Sequence, residues 1–275
     1  MAVTLSLDPA GSVFVVFREA LKERSGIVEV ESNGQSANVS MRREGNRLLI
    51  RSAKPGEFLA KGADGRSSKA KIGAVAEPLD LKGPWQVQFP QGSGTPKQIT
   101  MARLISLARH DDAEVRYYSG TAIYRTQVAI PAAQLGKGRR QVLELGDVQV
   151  IAEVLVNGKS LGVLWKAPYS VDVSLALRAG PNEIEIRVAN LWVNRLIGDQ
   201  QYPDDCQWTT NTGSTAKGKG LLEIPAWVVN NTTRPSTQRK AFVAWQWPHL
   251  QEKQLLPSGL IGPVRLVTEG EVEVN

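Results

Sequence analysis

Period-two alternation of apolar side chains runs through most of this chain, and it constrains the fold more than any other feature. In "DVQVIAEVLVNG" Val148, Val150, Ala152, Val154 and Val156 fall on one face, and Asn157-Gly158 then supplies the positive-φ pair of a two-residue hairpin turn. In "NEIEIRVAN" Ile184, Ile186 and Val188 alternate with Glu183, Glu185 and Arg187, the pattern of a sheet with one solvated face, after a turn at Gly180-Pro181-Asn182. "AIYRTQVAI" and "AFVAWQW" read the same way. No segment holds a 3.6-residue period for more than about two turns, and 25 glycines and 15 prolines interrupt the chain, so few helices are expected. The pattern predicts an all-β chain of short strands, arranged as a sandwich or jelly roll.

A run of small residues with a proline in "AVAEPLDLKGPW" marks a boundary. Two units are expected, a small β-sandwich-like piece over residues 1–76 and a jelly-roll sandwich over 77–275. In the first, the apolar run "SVFVVFR" suits a strand buried on both faces, and "GEFLAKGADGRSSKAKI" reads as a hairpin around Asp64-Gly65. The longest irregular stretch, about 198 to 238, is rich in Gly, Thr, Asn and Pro, as functional loops often are.

Charge and rare residues narrow the function classes. Residues 1–78 carry 12 basic and 9 acidic side chains and the remainder 21 and 18, so the net +6 is spread and lacks the concentrated stripe that tracks phosphates; no nucleic-acid partner is expected. No run of eighteen apolar residues and no signal-peptide pattern appears, so neither a membrane partner nor a leader is expected within this sequence. Cys206 stands alone and only His110 and His249 are present, which leaves little material for a disulfide, a zinc site or a triad.

Hydrolysis of glycosides needs two carboxyl groups across the scissile bond. Asp111, Asp112, Glu114, Asp199, Asp204, Asp205 and Glu223 lie in loops, but no spacing singles out a pair, and no phosphate, dinucleotide or nucleophile-elbow motif occurs. Asp204 and Asp205, with Asp199, are oxygen ligands of the kind calcium takes; their spacing is not that of an EF-hand, and a turn with capping acids is the simpler reading, so no cofactor is expected.

The aromatics say more. Sugar recognition pairs an aromatic face with nearby polar groups, and "NLWVNRLIGD" sets Asn190, Trp192, Asn194, Arg195 and Asp199 around one indole, with Trp165 and Tyr169 in "WKAPYSVD" nearby in sequence. Trp192, Asn194, Arg195, Asp199, Trp165 and Tyr169 are therefore the candidate carbohydrate-binding residues. A second reading stays open: a strand continuing past Val188 points residue 192 into the core, Arg195 and Asp199 form an ion pair four residues apart, and Asn190 and Asn194 bond backbone. Trp85 reads as core.

The strings "LDLKGPWQVQFP", "VRYYSGTAIYRTQVAIP", "LELGDVQVIAEVLVNGKSLGVLWKAPYSVDV", "GPNEIEIRVANLWVNRLIGD" and "LLPSGLIGPVRL" resemble, in order, the C-terminal sugar-binding-like sandwich of glycoside hydrolase family 106, the α-L-rhamnosidases, over about residues 80 to 269. A more distant likeness is to the galactose-binding-like jelly roll of glycoside hydrolase family 2, and "LSLDPAGSVFVVFR" extends the first resemblance toward the start. The resemblance implies a non-catalytic region, because the family's acid and base belong to a preceding α/β barrel that has no room in this sequence; no catalytic residue carries over. It implies either a module binding rhamnose-containing polysaccharide or a brace for the barrel, in a bacterial periplasmic or secreted setting. A self-contained hydrolase using loop carboxylates is the third reading.

Overall fold

The computed structural model describes residues 7, 11–16, 27–37, 39–44, 47–209, 219–246 and 254–274. The chain opens with β1 (Ile27–Ser32), β2 (Gln35–Ser36), β3 (Ser40–Glu44), β4 (Arg47–Ser52), β5 (Gly56–Gly62) and β6 (Ser67–Ile72). Asp64-Gly65 turns β5 into β6 as the sequence predicts, with Gly65 at φ +84°. A second series follows: β7 (Leu79–Asp80), β8 (Trp85–Gln88), β9 (Gln98–Met101), the one-turn helix α1 (Ala113–Arg116), β10 (Thr121–Ile130), β11 (Arg139–Glu144), β12 (Asp147–Gln149), β13 (Ile151–Val156), β14 (Lys159–Leu164), β15 (Ser170–Asp172) and β16 (Gly180–Ala189). The last third holds α2 (Val193–Asp199), β17 (Lys219–Gly220), α3 (Ala226–Val229), β18 (Trp245–Gln246), β19 (Gly259–Gly262) and β20 (Arg265–Val274).

Three larger sheets organise these strands. A six-stranded antiparallel sheet runs β14-β13-β16-β10-β8-β9, a second runs β15-β11-β20-β4-β3 with β7 also on β20, and a four-stranded sheet runs β2-β1-β5-β6. The expected all-β sandwich is thus the observed fold. Alternation places its core: Ala122 and Tyr124 of β10 meet Ala152, Val154 and Val156 of β13 and Ile184, Ile186 and Val188 of β16, with Trp85 and Val87 beneath. Each such large side chain contributes about 1.5–3 kcal/mol by leaving water. The opposite face of the same strands is an ionic ladder in which Glu185 takes Arg125 Nε at 2.5 Å and Arg187 Nε at 2.6 Å.

A second core gathers Val30, Ile50, Phe58, Ala60, Ala70 and Ile72, and Val272 and Val274 pack against it. Strand β20 therefore serves both cores, pairing β11 through Arg265–Gly270 and β4 through Gly270–Val274. At the crossover a Cβ on Gly270 falls 2.2 Å from Ile72 Cγ2, so the residue must be glycine for the two layers to close.

Four expectations change. Residues 12–16 form no strand and lie largely exposed, with Phe14 at 93 %; an apolar run marks only a wish for burial, and no described sheet offers it two covered faces. Residues 17 and 18 of "SVFVVFR", like His249, lie outside the described residues. In "AFVAWQW" Trp245–Gln246 pairs with β17, whereas the backbone of Ala241 is held by the side chains of Asp199 and Arg234, and Trp247 lies outside the described residues. The turn before β16 sits upstream of Pro181-Asn182, since Asn182 is buried in the strand and bonds the backbone of Arg178 and Gly180. The stretch after Val188 becomes a helix at Val193, so Trp192 leaves the inward register.

Candidate functional site

Strand register brings the candidate tryptophans to one end of the six-stranded sheet. Ala152 pairs Leu164 and Ile151 pairs Ala189, so Trp165, just past β14, and Leu191-Trp192, just past β16, leave the sheet at the same level, on strands either side of β13. Two strand spacings, about 10 Å, separate β14 from β16 at this level. Trp165 is 66 % exposed and Trp192 54 %, and Ile151 and Leu191 are exposed beside them. The Asn157-Gly158 turn, with φ of 51° and 80°, starts the β13–β14 pairing, and a one-residue shift between Glu153 and Leu155 gives the register seen at Ala152.

Tyr169 is half-buried and packs on the core, its hydroxyl donating to the Val150 carbonyl at 2.7 Å. Burial, with the Asp147 charge, pushes its phenol above the ordinary value. Its part at this rim is to pin the loop that carries Trp165.

The polar members of "NLWVNRLIGD" turn inward. Asn190 donates to the carbonyls of Gly120 (3.0 Å) and Val188 (3.3 Å) and accepts from Gly259 N. Asn194 imitates a strand pair, donating to Leu256 O at 2.8 Å and accepting from Leu256 N at 2.9 Å. Arg195 lies 2.9 Å from Asp199 Oδ1 and 3.2 Å from Glu114, with its guanidinium 5.8 Å from the Tyr117 ring centroid; the Asp199 contact is an ion pair without hydrogen-bond alignment. Asp199 Oδ2 accepts Lys240 N at 3.0 Å and Ala241 N at 2.7 Å. Gly198 permits this, since a Cβ there falls 2.5 Å from Tyr117 Cγ. Asn194, Arg195 and Asp199 are 3 %, 6 % and 3 % exposed, so the expectation that they present polar groups to a sugar is corrected: they lock α2 against three distant segments.

The described part of the loop after α2 gathers around two arginines. Arg234 grips Asp205 with Nε at 2.5 Å and Nη2 at 3.1 Å, donates to Ala241 O, and stacks 5.1 Å over Trp227. Arg239 pairs Asp204 at 2.5 Å. Both acids proposed for calcium thus face cations, and among the described residues no three metal-donor side chains gather. The Arg234 hydrogen bond holds the Asp205 carboxyl below its ordinary 3.8, against opposing burial. A depressed folded-state pKa adds stability that is fully present above 3.8 and lost as pH falls through the lower folded value. Urea unfolding midpoints fall from pH 5 to pH 3, and Asp205→Asn flattens that acid limb.

A cleft of about 650 Å³ opens between residues 103–109 and 254–261, with Arg103, Ser106, Arg109, Asp147 and Gln254 as its polar residues. Asn194 holds Leu256 at its back. Sequence reasoning missed this cleft, because its walls are irregular loops far apart in the chain.

A jelly roll with exposed tryptophans and a polar cleft on its end loops is the architecture of carbohydrate-associated domains of glycoside hydrolases. The chain belongs to the glycosyl hydrolase 2 galactose-binding domain-like family, which matches residues 103–261. A protein of Formosa agariphila provisionally named beta-glucuronidase is 38% identical over 213 residues, which span 77% of this chain and 17% of that protein. The structure of a rhamnosidase from Novosphingobium sp. PP1Y superposes with a TM-score of 0.54 and 26% identity, over 88% of this chain and 25% of the rhamnosidase. A beta-D-glucuronidase of Dictyoglomus thermophilum aligns over 42% of this chain and 20% of its own, at 27% identity and a TM-score of 0.36. The chain therefore spans a quarter or less of the length of the relatives it matches.

Proposed function

We propose that this chain is the carbohydrate-associated, non-catalytic module of an α-L-rhamnosidase-like enzyme of glycoside hydrolase family 106, and that it binds rhamnose-containing polysaccharide. The observation that carries this reading is the reach of the likeness to the Novosphingobium rhamnosidase, which at 88% of the chain extends beyond the sandwich to the N-terminal strands. The division near residue 76 belongs to the same proposal and is supported by a second core built mainly from the strands before it, with β20 shared between the two. Trp165 and Trp192 stack on the sugar, Tyr169 fixes the first of them, and the α2 lock fixes the second.

Calorimetric titration with neutral rhamnose oligosaccharides tests this, first in calcium and then in chelator. Saturable binding with a dissociation constant on the order of micromolar to millimolar is expected. A flat titration in both buffers removes the reading.

A second reading is favoured by one observation: Leu222, Ile224 and Val229 are exposed together on the segment around α3. An apolar face of this kind suits a brace against a catalytic barrel in a longer protein. It predicts no sugar affinity. A glucuronide-processing parent enzyme is the alternative that the Formosa relative supports.

A further inference from the structure

Away from the tryptophan rim, a cleft of about 490 Å³ lies where the edge strand β14 approaches β15 and the start of β11. Its walls carry five basic side chains and three acidic ones. The acids are all engaged. Glu44 is shared by Arg42 and Arg47, Glu271 takes Arg51 Nε at 2.5 Å, and Asp172 takes Arg140 Nε at 2.7 Å. Arg140 also reaches Glu269 at 2.6 Å. Hydrogen bonds from Ser174 and Arg140 outweigh burial and hold Asp172 below its ordinary pKa, so it stays an anion beside its arginine.

Two cations remain, Arg139 at the first position of β11 and Lys159 at the first position of β14, and neither has an ion-pair partner among the described residues. The apolar part of the wall is Leu161 and Leu175, the latter 92 % exposed. An arginine fork and an ammonium beside one bare and one half-buried leucine side chain match a six-membered sugar ring that presents a C–H face on one side and a carboxylate on the other.

We propose that this cleft is a second carbohydrate subsite, selective for the carboxylate of a uronic-acid residue, with Arg139 and Lys159 binding the anion and Leu161 and Leu175 taking the ring. The proposal rests on the reading of the chain as a carbohydrate-binding module and adds a separate site to it. It gives the module two contacts of different chemistry, one neutral and aromatic and one anionic.

The test is calorimetric titration of the whole chain with trigalacturonate and with its methyl ester, at pH 7 and low salt. The free acid binds and the ester, which keeps the ring and loses the charge, binds at least tenfold more weakly. Arg139→Gln/Lys159→Gln weakens the acid tenfold or more without changing the unfolding midpoint, since neither side chain has a partner to lose. Lys54→Gln/Lys69→Gln removes the same net charge elsewhere and leaves binding within twofold. Equal binding of acid and ester, equal weakening by both double variants, or no binding of the acid overturns the subsite. A neutral rhamnose oligosaccharide run beside it separates the two readings: neutral binding without acid binding removes the subsite alone, acid binding without neutral binding removes the tryptophan rim alone, and absence of both removes both.

Discussion

Asp199→Ala lowers the stability of the chain by about 3–5 kcal/mol, the cost of leaving a buried charge without its partner. Three losses coincide in that substitution. Arg195, 6 % exposed, keeps only Glu114 at 3.2 Å, and the backbone N–H groups of Lys240 and Ala241 lose their acceptor. Each orphaned donor adds to the cost of the guanidinium's lost contact. Urea unfolding measures it, with Asp64→Ala as the comparison, since Asp64 is an exposed turn acid whose bond to Arg66 N is worth far less. Arg195→Met/Asp199→Leu costs less than Asp199→Ala alone, because the deeply buried guanidinium goes with its partner and the charge left, Glu114, is the more exposed one. A loss below about 1 kcal/mol for Asp199→Ala contradicts the lock at α2.

Trp165→Ala/Trp192→Ala abolishes binding of neutral rhamnose oligosaccharides and leaves the unfolding midpoint nearly where it was. Both indoles are more than half exposed, so little folding energy depends on them. Each stacking contact is worth about 0.5–1.5 kcal/mol, a factor of roughly 2 to 13 in affinity, and losing both puts a weak sugar ligand out of reach of titration. Trp85→Ala is the contrasting substitution: that indole is fully buried, and its removal costs about 3–5 kcal/mol without touching the rim. Retention of binding in the double variant places the sugar elsewhere.

The fold was legible wherever side chains alternate over a long strand. Thr121–Ile130 and Gly180–Ala189 pair over ten residues, and one-sided burial leaves them a single register. Asn157-Gly158 and Asp64-Gly65 were legible for a different reason, since few residue pairs adopt their turn conformations. The "SVFVVFR" run was not legible, because apolarity states what a segment would gain from cover and not whether cover exists. Helix α2 was missed although Arg195 and Asp199 stand four apart; seven residues are too few to display a 3.6-residue period against the strand before them. The fate of the "NLWVNRLIGD" side chains turned on the same point. Their composition fits a sugar cleft or a buried lock equally, and the choice depends on Gly120, Leu256 and Lys240, which only the tertiary fold brings near.

Strand β20 imposes an order on synthesis. Leu266 closes the larger core and Val272 and Val274 pack on the smaller one, so neither core is complete until residues 265–274 have left the ribosome. Strands β1 to β6 emerge first, yet the sheet of β3 and β4 must wait with an open edge, next to β4, for more than two hundred further residues. Until Arg265 is made, both cores lack a strand that closes them, and neither can be finished ahead of the other.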